Sequence, residues 1–323
     1  MPKPSVFVSR RWPEAVEAKL AANYEVTFNT EDKPLGVDEF RSALKSHDAV
    51  LPTVTDTLGP EVFEVDSIQT KILGNFGVGF SHIDETAVKA AGLIVTNTPG
   101  VLSECTADIA MTLMLMVARR AGEGEREVRA GEWTGWRPTH LIGNKVSGKT
   151  LGIIGFGRIG QKMAQRAHFG FDMKILVQNR SPIKQEILDH YNAVQIDTVD
   201  ELLPQCDFVS LHCPGGAANR HLINAKRLET MKSNAFLINT ARGEVVDDEA
   251  LAKALQQNLI AGAGLDVFDG EPKINSGLFK CENAVLLPHL GSATRETREA
   301  MGFRVLDNLD DFFAGRQPQD RVI

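Results

Sequence analysis

Six residues, Gly155-Phe156-Gly157-Arg158-Ile159-Gly160, constrain this chain more than any others. An apolar run, Leu151–Ile154, leads into them. A segment with helical periodicity follows from Arg158 to about Phe169, and a second apolar run returns at Lys174–Val177. Strand, glycine-rich turn and helix in that order open a parallel, doubly wound sheet, and this context separates the motif from a chance match. Gly155 permits the tight turn, Gly157 lets a ligand reach the backbone, and Gly160 lets the helix pack against the strand. The helix N-terminus, from Arg158 and Ile159 onward, turns amide donors and positive potential toward a pyrophosphate. The turn is read as a dinucleotide-binding site.

The tip of the second strand bears on which dinucleotide. An acidic residue there would accept the ribose hydroxyls of NAD. This chain has Val177-Gln178-Asn179-Arg180-Ser181-Pro182, without a carboxylate. Arg180 can pair with a 2′-phosphate, and Asn179 and Ser181 can hydrogen-bond to it. NADP(H) is therefore expected as the preferred cofactor, with NAD(H) possible.

The same alternation runs through the whole chain. Short strands are expected at Val6–Val8, Val26–Phe28, Ala49–Leu51, Lys71–Leu73 and Ile94–Thr96, with helical segments such as Pro13–Ala22, Val37–Lys45 and Asp84–Ala91 between them. A second series comprises Thr150–Ile154, Lys174–Val177, Phe208–Leu211, Ala235–Ile238, Ala261–Leu265 and Val285–Leu287. The expected class is α/β with parallel sheets. Ser103–Arg120 reads as one long helix, and its centre, Ile109–Met116, is apolar nearly all round, which predicts burial on more than one side. Burying Met111, Leu113, Met114 and Leu115 together points to a homodimer. Ser292–Ala314 reads as an amphipathic closing helix ended by Gly315.

Composition excludes several classes. With 323 residues the chain can form two domains, and a net charge of −7 argues against a general nucleic-acid surface. Cys105, Cys206, Cys213 and Cys281 show neither metal-ligand nor disulfide spacing, so no metal is expected and a reduced, cytoplasmic compartment is. Met1-Pro2-Lys3-Pro4 begins no signal sequence, and the longest apolar stretch, Ile109–Ala118, is too short to span a bilayer, so no membrane association is expected.

Three late segments bring ionisable side chains to the carboxyl ends of strands, where ligands bind in open α/β sheets. They are Asn239-Thr240-Ala241-Arg242-Gly243, Asp266-Val267-Phe268-Asp269-Gly270-Glu271-Pro272 and Pro288-His289-Leu290-Gly291. An arginine suits a carboxylate, a histidine moves a proton, and a glutamate can tune the histidine.

With these three motifs in place, the chain resembles the D-isomer-specific 2-hydroxyacid dehydrogenase family, and within it the glyoxylate/hydroxypyruvate reductase branch. The resemblance covers nearly the whole chain: Phe76-Gly77-Val78-Gly79, Asn97–Leu102, Gly131-Glu132-Trp133-Thr134-Gly135-Trp136, Gly155–Gly160, Asn239–Gly243, Asp266–Pro272 and Pro288–Thr294. It implies two doubly wound parallel-sheet domains with the active site in the cleft. One is a Rossmann dinucleotide-binding domain (101–288), the other a discontinuous flavodoxin-like substrate domain (1–100 and 289–323).

The implied roles carry over residue by residue. Arg242 would bind the substrate carboxylate and polarise the 2-oxo group. His289 would donate the proton as hydride arrives at carbon, and Glu271 would orient the His289 ring and favour its protonated form. Gly77-Val78-Gly79 would offer backbone amides to the carboxylate, with Val78 and Gly79 as donors. Phe80 is followed by Ser81, where the family often has Asp or Asn. Trp136 would project into the active site of a neighbouring subunit and restrict it to short 2-oxo acids such as glyoxylate and hydroxypyruvate. Pro214, Thr240, Asp266 and Gly291, with Arg242 and His289, would touch the cofactor. The rival from another class is a nicotinamide-sensing co-regulator with little turnover, which a turnover assay distinguishes.

Overall fold

The computed structural model describes residues 2–323. It forms two compact units. The first contains the residues up to Leu102 together with Ala293–Ile323, and the second is Ser103–Ser292.

In the first unit, β1 (Ser5–Val8), β2 (Glu25–Phe28), β3 (Ala49–Leu51), β4 (Ile72–Gly74) and β5 (Ile94–Thr96) form one parallel sheet in the order β2-β1-β3-β4-β5. This is the flavodoxin-like arrangement. Val6, Val8, Val50, Leu51, Leu73 and Val95 are fully buried, as expected for strands covered on both faces. Helix Val37–Ser46 buries Phe40, Ala43 and Leu44, which share one face, and carries Asp38 and Glu39 in its first turn and Lys45 in its last. The closing helix runs over Arg295–Phe313 from a Thr294 cap whose side chain accepts from the Thr297 amide.

The second unit adds β6 (Thr150–Ile154), β7 (Lys174–Gln178), β8 (Ala193–Gln195), β9 (Phe208–Leu211), β10 (Phe236–Asn239), β11 (Gly262–Leu265) and β12 (Ala284–Leu286). All pair in parallel in the order β12-β11-β10-β9-β6-β7-β8. Both units are therefore doubly wound α/β sheets, as expected. Strand order reverses between β6 and β9, so the carboxyl ends of these strands flank the crevice where such sheets bind ligands.

Two features depart from the expected elements. Strand β8 was not anticipated. The long helix also stops at Ala118, and Arg120 takes a left-handed φ of 53° before a new helix, Ala121–Ala130. The Asn144 amide donates to Ala118 O at 2.7 Å and so caps the first helix from a distant segment.

That helix, Ser103–Ala118, lies against β10, β11 and the helix Arg158–Phe171. Gly262 and Gly264 of β11 make the approach possible, because a Cβ at either would stand 2.8 Å from Val117 or Leu113. Ala107, Ala110, Met111, Leu113, Met114 and Val117 are buried on this side. Cys105, Ile109, Leu115 and Met116 are only half-buried, and with exposed Asp108 and Thr112 they form a second stripe at helical spacing.

Candidate active site

The fingerprint turn leaves β6 with Gly155 at φ 91°, a conformation glycine adopts without strain. A side chain on Gly155 would also meet the backbone of His212 and Cys213 at the end of β9, and one on Gly160 would collide with Gly155 O. A Cβ on Gly157 would meet nothing within 4 Å. The two outer glycines thus satisfy internal packing, whereas the middle one faces open space at the start of the helix Arg158–Phe171. Free helix amides above an open glycine suit a dinucleotide's phosphates. Thr240 Oγ1 and His212 Nδ1, at the ends of β10 and β9, are buried polar atoms without a protein partner. Unsatisfied groups of this kind fit a polar ligand at the switch point. Burial alone pushes the His212 pKa down to about 3, so it stands there neutral.

Asn179 behaves differently from a simple phosphate reader. Its Oδ1 accepts from the Phe156 amide at 3.2 Å and its Nδ2 donates to Ser181 O at 2.9 Å, so it braces the fingerprint turn against the loop after β7. Arg158, Arg180 and Ser181 are exposed, and neither arginine forms an ion pair among the described residues. Pro214 is exposed on the loop after β9, where its carbonyl accepts from Asn219 Nδ2 at 2.9 Å.

The three ionisable residues come from three adjacent strand ends. Asn239, the last residue of β10, bends the chain: its Oδ1 accepts from the Ala241 amide and its Nδ2 donates to Arg242 O, both at 3.0 Å. The Arg242 guanidinium donates to Ala241 O at 2.7 Å. Burial lowers its pKa, against the opposing charges of Glu244 and Glu271. It makes no ion pair among the described residues, so a half-buried cation keeps donors for an anion from outside the chain.

Beyond β11, Asp266 accepts from the Leu290 and Gly291 amides at 2.6 and 2.7 Å, and its carbonyl accepts from the His289 amide at 2.9 Å. Burial raises the Asp266 pKa in spite of these amides and of His289. The clamp holds His289 at a left-handed φ of 57°. Thr106 Oγ1 adds a hydrogen bond of 3.1 Å to Gly291 O. His289 Nδ1 then meets Glu271 Oε2 at 2.8 Å, while Glu271 Oε1 accepts from the Phe268 amide at 2.9 Å. Burial works to raise the Glu271 pKa, but the His289 hydrogen bond and charge, the Phe268 amide and Arg242 outweigh it, and the net shift is downward. A carboxylate fixed on Nδ1 leaves Nε2 as the nitrogen able to exchange a proton with a ligand.

In the first unit, the Gly77–Gly79 loop has its carbonyls tied down. Asn75 Nδ2 donates to Gly77 O and Gly79 O at 3.0 Å, and Asn97 Nδ2 to Val78 O at 2.8 Å. The amides of Val78 and Gly79 donate to no group among the described residues. Trp136 is 82% exposed and Trp133 54%, on a segment without regular structure.

Sequence reasoning missed the bracing roles of Asn239 and Asp266. The short spacing Asn239–Arg242 hinted at the first, and nothing local hinted at the second.

A family model described as D-isomer specific 2-hydroxyacid dehydrogenase, NAD binding domain, matches residues 111–291. Over 99% of its length the chain is 45% identical to the glyoxylate reductase of Thermococcus litoralis, covering 97% of that protein. It is 39% identical to the glycerate dehydrogenase of Hyphomicrobium methylovorum, with 98% of each covered. Among solved structures it resembles the NADPH-dependent glyoxylate/hydroxypyruvate reductase of Sinorhizobium meliloti in complex with NADP and malonate. The TM-score is 0.88 at 31% identity, covering 99% of this chain and 97% of that one.

Proposed function

The chain belongs to the D-isomer-specific 2-hydroxyacid dehydrogenase family, and from that premise we propose that it reduces glyoxylate and hydroxypyruvate to glycolate and D-glycerate, with NADPH preferred over NADH. The observation that carries the reading is the half-buried Arg242 guanidinium, which has no carboxylate partner of its own among the described residues and shares the field of the Glu271–His289 pair. A cation so placed is complementary to a 2-oxo acid's carboxylate and carbonyl oxygen.

A nicotinamide dinucleotide held at the fingerprint turn would supply the hydride for such a reduction. Arg242 holds the carboxylate and draws electron density from the carbonyl, His289 Nε2 delivers the proton to the carbonyl oxygen, and Glu271 keeps the ring aimed and offsets the charge it carries before transfer. Gly157 and the amides of Arg158 to Gly160 would hold the pyrophosphate, with Thr240 and His212 as buried polar neighbours. Exposed Arg180 and Ser181, with no carboxylate beside them, support NADPH preference. The names of the Thermococcus and Hyphomicrobium relatives support short 2-oxo acids as substrates.

A second copy of the chain is the proposed partner, covering the half-buried helix stripe and the Trp133–Trp136 segment and receiving Trp136. Four free thiols support a reducing, cytoplasmic setting.

Steady-state kinetics with a panel of 2-oxo acids and both cofactors tests the reading. The highest kcat/KM is expected for glyoxylate or hydroxypyruvate with NADPH. Cofactor binding without turnover on any 2-oxo acid would favour the sensing alternative.

A further inference from the structure

The stretch 215–224, between the Pro214 loop and the helix Ala225–Thr230, has no part in the chemistry above, yet it is bonded to both loops that carry it. Gly216 N donates to Glu244 Oε1 at 2.6 Å, and a Cβ on Gly215 would stand 2.9 Å from Arg242 Cγ. His221 N donates to Glu244 O at 2.7 Å, and Ile223 N to Val245 O at 3.0 Å. The His221 ring then reaches the other loop, with Nε2 3.1 Å from Asp269 Oδ2. Glu244 lies two residues after Arg242, and Asp269 two residues before Glu271. One residue thus spans the two loops, its main chain on the arginine side and its side chain on the glutamate side. It does so at a left-handed φ of 50°, which a non-glycine residue keeps only when its surroundings impose it.

The charged surroundings are well defined. Arg220 binds Asp269 from the solvent side, Nη2 at 2.9 Å and Nη1 at 3.4 Å. Asp247 Oδ2 lies 3.9 Å from His221 Nδ1, and buried Asp248 accepts from the Asp269 amide at 3.1 Å. Arg220 touches the glutamate-bearing loop through its side chain alone, whereas Asp248, at the start of the helix that follows the arginine-bearing loop, is a second tie to the Asp269 amide. Of the two side chains on the Asp269 carboxylate among the described residues, His221 is the one whose own amide bonds the arginine-bearing loop.

We propose that His221 is a positioning residue, a strut that joins the Gly243–Phe268 backbone contact in setting the spacing of the Arg242 and Glu271 loops and so holds Glu271 against His289. The proposal rests on the catalytic reading of Arg242, Glu271 and His289. It separates His221 from Arg220, since an exposed arginine on a shared carboxylate contributes little to loop spacing. Misplacing a reacting group by about 1 Å can cost about 100-fold in rate. Loss of the strut therefore lowers kcat, leaves cofactor binding alone, and weakens the Glu271 contact that keeps His289 ready to donate.

The test compares reductive kinetics across pH for His221→Ala, His221→Gln, Arg220→Ala and His289→Ala, with NADPH affinity and Tm measured on each. For His221→Ala we expect kcat to fall about 10- to 100-fold, NADPH affinity to be unchanged, and the pH profile of kcat to differ from wild type. His221→Gln, whose amide can reach Asp269, should recover most of the rate, and Arg220→Ala should stay within about 3-fold of wild type. Wild-type kcat and pH profile in His221→Ala would overturn the strut, as would equal losses in His221→Ala and Arg220→Ala, or a folded His221→Gln no better than His221→Ala. Should His221→Ala not fold, Asp269→Ala, which removes the acceptor, replaces it, and a wild-type profile there overturns the proposal equally. Retained turnover in His289→Ala would instead overturn the catalytic reading.

Discussion

Gly243 and Phe268 meet backbone to backbone: a Cβ on Gly243 would collide with the carbonyl carbon and oxygen of Phe268 and the amide of Asp269. The residue after Arg242 is thereby pressed against the turn that ends in Glu271. Gly243→Ala should push the two loops apart, because neither side of the contact is a flexible side-chain end. The expected cost is about 1–3 kcal/mol in stability and a drop in kcat/KM of about 100-fold. A folded Gly243→Ala enzyme with wild-type kcat/KM would show that the spacing is set elsewhere.

His289→Ala removes the proposed proton donor without touching the fingerprint turn. Turnover should fall by roughly two to four orders of magnitude, while NADPH binding measured by fluorescence titration stays nearly intact. Near wild-type turnover would remove His289 from the mechanism.

Arg180 is exposed and without an ion pair among the described residues, whereas Asn179 is occupied in bracing the turn. Arg180→Ala should therefore weaken NADPH by about 1.5–3 kcal/mol, the scale of a charge-assisted hydrogen bond. NADH kinetics should barely change. Equal losses with both cofactors would mean that Arg180 shapes the loop, and a wild type that prefers NADH would refute the cofactor reading.

Asp248 carries a pH signature. It is buried, and burial, against the Asp269 amide and with the added charges of Asp269 and Asp247, pushes its pKa from 3.8 up to about 6. The folded protein thus holds this proton more tightly than the unfolded chain does. The resulting stability is fully present below about 3.8 and is lost as pH rises through about 6. Above that the ionised carboxylate costs about 3 kcal/mol. Asp248→Asn keeps an acceptor for the Asp269 amide, so it should raise Tm at pH 7–8, with a gain that shrinks toward pH 4. The lost attraction between a first-turn carboxylate and the helix dipole offsets part of that gain, about 0.3–1 kcal/mol. A variant less stable than wild type at pH 8 would contradict the assignment.

The half-buried stripe Cys105, Ile109, Leu115 and Met116, together with exposed Val128, Trp133, Trp136 and Ile142, is more apolar surface than a helix end and a loop normally show to water. Light scattering should find a dimer, and Ile109→Asp combined with Leu115→Asp should give a monomer with impaired turnover. A fully active wild-type monomer at assay concentrations would refute both the dimer and the role of Trp136 in a neighbouring site.

The residues alone determine the class of fold and the placing of the candidate ionisable groups at strand ends. Apolar runs of four or five residues, such as Thr150–Ile154 and Phe208–Leu211, declare buried parallel strands. The glycines of the fingerprint declare their turn, and Arg242, Glu271 and His289 follow strands closely enough to be read as strand-end groups. All of these are local signals. What required the tertiary structure depends on register between distant segments. Strand β8 has three residues, with Val194 56% exposed, so neither length nor alternation marks it. The stop at Ala118 is imposed by Asn144, the occupation of Asn179 by the Phe156 amide, and the clamp on His289 by Asp266. His221 shows the limit most clearly. Its sequence neighbours reveal nothing of Asp269, 48 residues away, because the hydrogen bond exists only once β9, β10 and β11 lie side by side.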